Sequence, residues 1–248
     1  MNPAAAAKVV PGELVTEADP AGVAREAAAR MAGVLRAALE ARGKASIALS
    51  GGNTPRDAYA TLAGEPGLDW TKVDIFWVDE RAVGPTDDRS NYRWAKVTLL
   101  DAAGVPPERV HRMPSDAPDL DLAAKAYDSA IASLTTDHTP AFDLVVLGVG
   151  DDGHTASLFP GDPTVDVTDR LVAAVPARPG REARLTLTRT VIQQARQVLV
   201  LVVGAGKQRA LSLAWAREGD VHQTPSRIIR DCKGVVTWIV DEAARGPA

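Results

Sequence analysis

The sequence predicts a single-domain α/β fold built on a mostly parallel sheet, and three observations carry that prediction. Five short apolar runs without helical period punctuate the chain: residues 45–49 (ASIAL), 73–78 (VDIFWV), 142–147 (FDLVVL), 198–203 (VLVLVV) and 235–240 (VVTWIV). Segments with apolar residues at helical spacing lie between them. The length of 248 residues, 46% apolar and 24% charged, is that of an ordinary globular chain, and at roughly 150 residues per domain it fits one domain over residues 1–248. Near-continuous apolar strands alternating with helices imply parallel strands covered on both faces.

The elements follow in order. Residues 21–39 place Val23, Ala27, Met31, Val34, Leu35, Ala38 and Leu39 on one stripe, after Pro20 in a first-turn position and before Gly43 as a stop. The strand at 45–49 runs into the turn-rich Ser50, Gly51, Gly52, Asn53, Thr54 and Pro55, and residues 56–63 read as a helix. The strand at 73–78 ends in Asp79, Glu80 and Arg81. Residues 91–100 and 120–134 read as helices, 142–147 as a very apolar strand, and 171–175 and 184–187 as shorter ones. A central strand at 198–203, a helix at 207–215 and a last strand at 235–240 complete the chain.

Composition removes several classes of function. Lys and Arg number 28 against 32 Asp and Glu, a net charge of −4 with no basic run, so neither a broad nucleic-acid footprint nor an anionic membrane surface is expected. The single Cys232 cannot form an internal disulfide; a reducing compartment suits it, and its thiol reads as buried rather than catalytic. No signal-peptide pattern opens the sequence and no run of about 18 apolar residues exists to span a bilayer, so a cytoplasmic protein is expected.

In open parallel sheets, ligands sit beyond the carboxyl ends of the strands. Four loops there could carry chemistry. Ser50 to Thr54 combine glycines, hydroxyls and a helix start, the makings of a small anion cradle, although a tight turn with an N-cap needs only one of them. Asp79, Glu80 and Arg81 end a strand and could hold sugar hydroxyls and phosphate, although an ordinary surface ion pair would look the same. The third loop, 148–157 (GVGDDGHTAS), formally matches a dinucleotide-binding GxGxxG. Two adjacent aspartates where a pyrophosphate needs amides, and a mid-chain position, argue against that reading. Its glycines and acids instead frame His154 as a candidate general base; His111, His138 and His222 lack such framing. Asp151, Asp152 and His154 have no second His or Cys nearby, so no metal is expected. The fourth loop, Gly204 to Lys207, is no P-loop, because Leu201 and Gln208 stand where Gly and Ser or Thr should be; with Arg184 it still offers cations for a phosphate.

Six segments, in order over nearly the whole chain, resemble the 6-phosphogluconolactonase family: ALSGGNTP (48–55), VDER (78–81), SNY (90–92), LGVGDDGHTASLFPG (147–161), RLTLT (184–188) and GKQRAL (206–211). The resemblance implies a three-layer modified Rossmann fold of the deaminase/lactonase kind. It also implies hydrolysis of 6-phospho-D-glucono-1,5-lactone to 6-phospho-D-gluconate in the oxidative pentose phosphate pathway, without metal or organic cofactor. His154 would be the catalytic base, and Ser50, Gly51, Gly52, Asn53, Thr54, Asp79, Arg81, Arg184 and Lys207 would bind the phosphosugar.

The chemistry of the residues agrees with that reading. A lactone needs an activated water, a stabilised oxyanion and a proton for the departing ring oxygen. His154 can move the proton, Asp152 can orient the imidazole, and backbone amides of the loop from Gly150 to Gly153, or Arg81, can face the oxyanion. The expected partner is a small phosphosugar lactone rather than nucleic acid or membrane, bound by a monomer or weak homodimer. Two alternatives stand. A glucosamine-6-phosphate deaminase or isomerase would share the fold, but in that family an acidic residue follows the histidine, and TASLFP (155–160) has none. A non-catalytic phosphosugar-binding protein would have no use for a poised histidine.

Overall fold

The computed structural model describes residues 8–133 and 141–247. Among the described residues there are nine strands: β1 (Glu13–Glu17), β2 (Ala45–Leu49), β3 (Val73–Trp77), β4 (Asp79–Arg81), β5 (Leu144–Gly148), β6 (Val172–Val175), β7 (Arg184–Leu187), β8 (Gln197–Val202) and β9 (Val235–Asp241). Six of them form one sheet in the order β1-β9-β8-β5-β2-β3, with every pairing parallel. Each residue of β2 and β3 is buried, and so are five of the six in β8. Strands inaccessible on both faces must be covered on both, which is why they run mostly apolar without alternation, Ser46 and Asp74 excepted.

The helix predicted at 21–39 is α1 (Pro20–Arg42). The Asp19 carboxylate accepts from the Gly22 amide at 2.7 Å, Pro20 sits in the first turn, and Gly43 closes the helix at φ 69°. Its alanine-rich face lets it lie close to α2 (Asn53–Ala63) and over β2, β8 and β9. The segment predicted as one helix at 91–100 is α3 (Asn91–Ala95), a π turn over Lys96–Leu100, and α4 (Asp101–Ala103). The Asp101 amide reaches back to the Lys96 carbonyl, and the Thr98 hydroxyl donates to the Trp94 carbonyl, competing for the ordinary ladder. The helix predicted at 120–134 is α5 (Leu120–Ala132); residue 134 lies outside the described residues. Three shorter helices follow, α6 (Arg189–Gln194), α7 (Gln208–Trp215) and α8 (Glu242–Arg245).

Two features escape the sequence patterns. Strand β1 has only Leu14 and Val15 as apolar residues and is half exposed, yet it pairs in parallel with β9 at the sheet edge. The VDIFWV run also does not end a single sheet. The Val78 amide donates to the Leu49 carbonyl in the large sheet, while its own carbonyl accepts from the Leu187 amide in a second one. That second sheet, β4-β7-β6, is antiparallel throughout. Val78 is therefore the pivot that carries the chain from one sheet into the other, and the carboxyl and guanidinium residues after it sit in a strand rather than a loop.

Cys232 is half-buried, with burial pushing its thiol up to about 12 and the neighbouring Asp231 adding to the shift. Such a group holds almost no thiolate near neutrality, and it is only half-buried where the sequence predicts it buried. No helix among the described residues is long and apolar enough to cross a membrane.

Candidate active site

Chain direction in the large sheet reverses between β2 and β5. From β2 the chain proceeds outward to β3, and it then returns to the other side of β2 to lay down β5, β8 and β9. Loops leaving two adjacent strands in opposite senses open a crevice between them. The loops after β2 and β5 are Ser50 to Thr54 and the histidine loop, and both line one cavity of about 490 Å³. That volume is in the usual range for small-molecule sites, about 300–1,000 Å³.

The wall after β2 is shaped by closeness. A Cβ on Gly51 would fall 1.8 Å from Asn91 Oδ1, so only glycine lets Asn91 press against this loop. Gly52 precedes α2 with φ 107°, a conformation that side chains resist. The Ser50 amide and carbonyl are both bonded to the Tyr59 hydroxyl at 3.0 Å, while the buried Ser50 Oγ has no partner among the described residues.

Across the cavity, β4 and β7 supply Asp79, Arg81 and Arg184. Asp79 is 5% exposed and already engaged: Ser157 Oγ donates to its Oδ2 at 2.6 Å, Asn91 Nδ2 approaches its Oδ1 at 3.2 Å, and Arg184 lies 3.6 Å away. Burial draws the Arg184 guanidinium down from its ordinary range. The Nε atoms of Arg81 and Arg184 are buried without a partner among the described residues. Glu80, turned away from the cavity lining, accepts the amides of Arg81, Asn91 and Tyr92 and the Ser90 hydroxyl, all at 2.8–2.9 Å. This buried carboxyl, pushed upward chiefly by desolvation, ties the strand carrying Arg81 to the helix start carrying Asn91.

His154 occupies the third wall. Its Nδ1 lies 2.6 Å from Asp152 Oδ1, and its own amide donates to the same oxygen at 3.0 Å. Those bonds hold the Asp152 carboxyl down at about 2. A proton on Nδ1 facing a carboxylate leaves Nε2 free to accept one. Gly150 is required here, since a Cβ there would fall 2.1 Å from His154 Nδ1. Lys207 completes the lining, its Nζ 2.6 Å from Asp151 Oδ1. Arg81, Arg184 and Lys207 bring three cations to this lining, set against Asp79 within it and Asp151 and Asp152 beside it, and cations so placed suit a phosphorylated ligand. Among the described residues no group of His, Cys, Asp and Glu could hold a metal ion.

Residues 18–238 match the family described as glucosamine-6-phosphate isomerases/6-phosphogluconolactonase. The chain belongs to this family. The 6-phosphogluconolactonase of Synechocystis sp. is 44% identical over 210 residues, covering 84% of this chain and 86% of that protein. The one from Streptomyces coelicolor is 38% identical over 244 residues, 94% and 93% of the two chains. Among solved structures, the Trypanosoma cruzi 6-phosphogluconolactonase superposes with a TM-score of 0.83 at 29% identity, covering 96% of this chain and 97% of that one.

Of the site residues expected for a member of this family, Ser50, Gly51, Gly52, Asn53, Thr54, Asp79, Arg81, Gly150, His154, Arg184 and Lys207 share the cavity. Asp152 stands behind His154, and Gly153 is not on the wall. Gly153 adopts φ 86°, a Cβ there would fall 3.0 Å from Thr224 Cγ2, and its carbonyl accepts from the Ser226 amide at 2.9 Å. The Gly150 and Gly153 amides are also spent inside the loop, on the His154 and Gly150 carbonyls at 2.9 Å each. They are not free to face an oxyanion.

Asn91 was missed as a site residue, although it is the central residue of the SNY segment. Two of the other histidines are framed after all. His111 Nε2 lies 2.8 Å from Asp74 with its ring stacked on Phe76, and His222 has Asp220 at 2.9 Å on one ring nitrogen and Asp166 at 2.9 Å on the other. Asp74 and Asp166 lie 37 and 56 residues away in sequence, beyond the reach of local pattern, whereas Asp220 stands two residues before His222, the same spacing as Asp152 to His154, and was within reach. Neither ring lines the cavity. His138 lies outside the described residues.

Proposed function

We propose that this chain hydrolyses 6-phospho-D-glucono-1,5-lactone to 6-phospho-D-gluconate, the lactone-opening step of the oxidative pentose phosphate pathway, with His154 as general base. The observation that carries the reading is a histidine with Nδ1 fixed on Asp152, in one cavity with Arg81, Arg184 and Lys207. The names of the relatives support the substrate.

In this scheme the phosphate lodges at the glycine loop and the start of α2, where amides and the helix dipole favour negative charge. A bound phosphate holds the ring so that C1 faces the imidazole. Nε2 of His154 takes a proton from water as its oxygen adds to C1. The tetrahedral oxyanion is met by a guanidinium, because Arg81 and Arg184 line the cavity while the Gly150 and Gly153 amides are spent inside their loop. Collapse breaks the bond between C1 and the ring oxygen, and the imidazolium returns its proton to that oxygen. The carboxylic acid then loses its own proton to solvent. Asp152 remains a carboxylate and stabilises the imidazolium.

The test is a continuous lactone assay fed by glucose 6-phosphate oxidation. His154→Asn should lower the enzymatic rate by about 10²–10⁴-fold at similar KM, the usual scale of acid–base catalysis. Full activity in that variant would refute the assignment, and ammonia release from glucosamine 6-phosphate would move the chain to the deaminase branch of its family.

A further inference from the structure

A second set of contacts bears on His154, from residues with no role in the scheme above. Phe159, 7% exposed and five positions further along the loop, sets its ring centroid 4.6 Å from that of the imidazole, the planes tilted by 41°. Over the Phe159 ring lies the Arg181 guanidinium, its Cζ 3.8 Å from the centroid. Arg181 is itself anchored, its Nη2 donating to Asp162 Oδ2 at 2.9 Å, with only 18% and 3% of the two side chains exposed. Asp162 in turn accepts from the amide and hydroxyl of Thr164. The Arg181 Nε is buried with no partner, as expected of a guanidinium laid on a ring rather than aimed at an acceptor.

The hydrogen bond to Asp152 fixes one atom of the imidazole, and a single anchored atom leaves the ring free to rock. Gly150 abuts the ring at Nδ1 and Cε1, where a Cβ would fall 2.1 and 2.2 Å away. The Phe159 ring adds a second wall, and a wall clamped from Arg181 is stiffer than one resting on its own packing. We propose that Phe159, held by Arg181, is a positioning residue that sets the plane of the His154 ring. The proposal rests on the reading of His154 as the base, but it makes a claim about ring geometry that can be measured separately from turnover.

The experiment combines steady-state kinetics with nitrogen-15 NMR of the His154 ring in the wild type and in Phe159→Leu, Phe159→Tyr and Arg181→Lys. Phe159→Leu should lower kcat about tenfold or more, the scale of small errors in placing a reacting group, and leave KM within about twofold. Its His154 ring signals should shift or broaden. Phe159→Tyr should restore kcat to within about threefold, since an aromatic face is regained. Arg181→Lys keeps the charge on Asp162 but loses the flat guanidinium, and should lower kcat about threefold at constant KM. Wild-type kcat and ring signals in Phe159→Leu, a KM rise that accounts for its loss of activity, or a tyrosine variant no better than the leucine one would each overturn the proposal. Should Phe159→Leu fail to fold, unaltered ring signals in Arg181→Lys would overturn it. If instead His154→Asn stays active while Phe159→Leu perturbs the ring, the base assignment falls and the positioning role stands.

Discussion

Lys207 Nζ lies 2.6 Å from Asp151 Oδ1, while the next residue, Asp152, is bound to His154, so two consecutive aspartates hold two different residues of one cavity lining. Asp151 is 80% exposed and Lys207 27%, an ion pair at the rim within reach of solvent. A dianionic substrate competes with Asp151 for that ammonium. Asp151→Asn should therefore lower KM about two- to fivefold at low salt, in keeping with an exposed pair worth at most about 1 kcal/mol. The gain should vanish near 1 M salt, where the screening length is about 3 Å. Lys207→Met should raise KM. Steady-state kinetics at two ionic strengths checks both, and an unchanged KM in either variant would remove Lys207 from phosphate binding.

Asp152 makes a prediction about pH. Its folded-state carboxyl is depressed to about 2 by the bonds from His154, so it stays ionised at every pH above that value. Its orienting influence should then be constant through the working range. Asp152→Asn should reduce kcat by about 10²–10⁴-fold, as replacing the carboxylate behind a catalytic imidazole does elsewhere. Losing the charge that stabilises the imidazolium favours the neutral base in the variant, so the ratio of wild-type to variant kcat should be smaller on the acid side of the profile than on its alkaline plateau. A ratio flat throughout would show that Asp152 does not stabilise the imidazolium.

Gly51 and Asn91 should behave as a coupled pair. A methyl on Gly51 meets Asn91 Oδ1 at 1.8 Å, so Gly51→Ala must displace either the glycine loop or the Asn91 side chain. Overpacking of this kind costs about 1–3 kcal/mol. Because Asn91 also donates to the Asp79 carbonyl at 2.9 Å, the damage should reach the substrate as a raised KM. In the double variant with Asn91→Ala, the stability loss should be smaller than the sum of the two single losses. Denaturant unfolding provides the check, and strict additivity would contradict the contact.

His222 predicts a pH-dependent stability unrelated to catalysis. Asp166 first and Asp220 second hold its imidazolium above the ordinary range. A histidine raised in the folded state contributes stability that is complete below its unfolded value, about 6.5, and is lost as pH rises through the higher folded value. The wild-type Tm should therefore fall relative to that of His222→Gln as pH increases from about 6 to 9. Parallel Tm curves would show that the exposed pair contributes nothing.

Much of this architecture was readable without coordinates. Runs such as VLVLVV announce burial on both faces because burial is a property of each residue's own polarity. The loop from 147 to 161 carried its glycines, acids and histidine in one continuous string, and Asp152 could be assigned to His154 because a two-residue separation is local geometry. Strand β1 was hidden because an edge strand needs few apolar side chains, and the role of Asn91 was hidden because its value lies in reaching a glycine 40 positions earlier.

Local polarity and short spacings thus determined the strands, most helices and the presence of a framed histidine. Tertiary structure alone decided that the strand order reverses between β2 and β5 and that Val78 divides its run between two sheets. It also decided that Arg81, Arg184 and Lys207 surround His154, and that the Gly150 and Gly153 amides are spent within their own loop. Those facts depend on which distant segments become neighbours, a choice made by packing and sheet order over the whole chain, whereas hydrophobic period reports only whether each segment is buried.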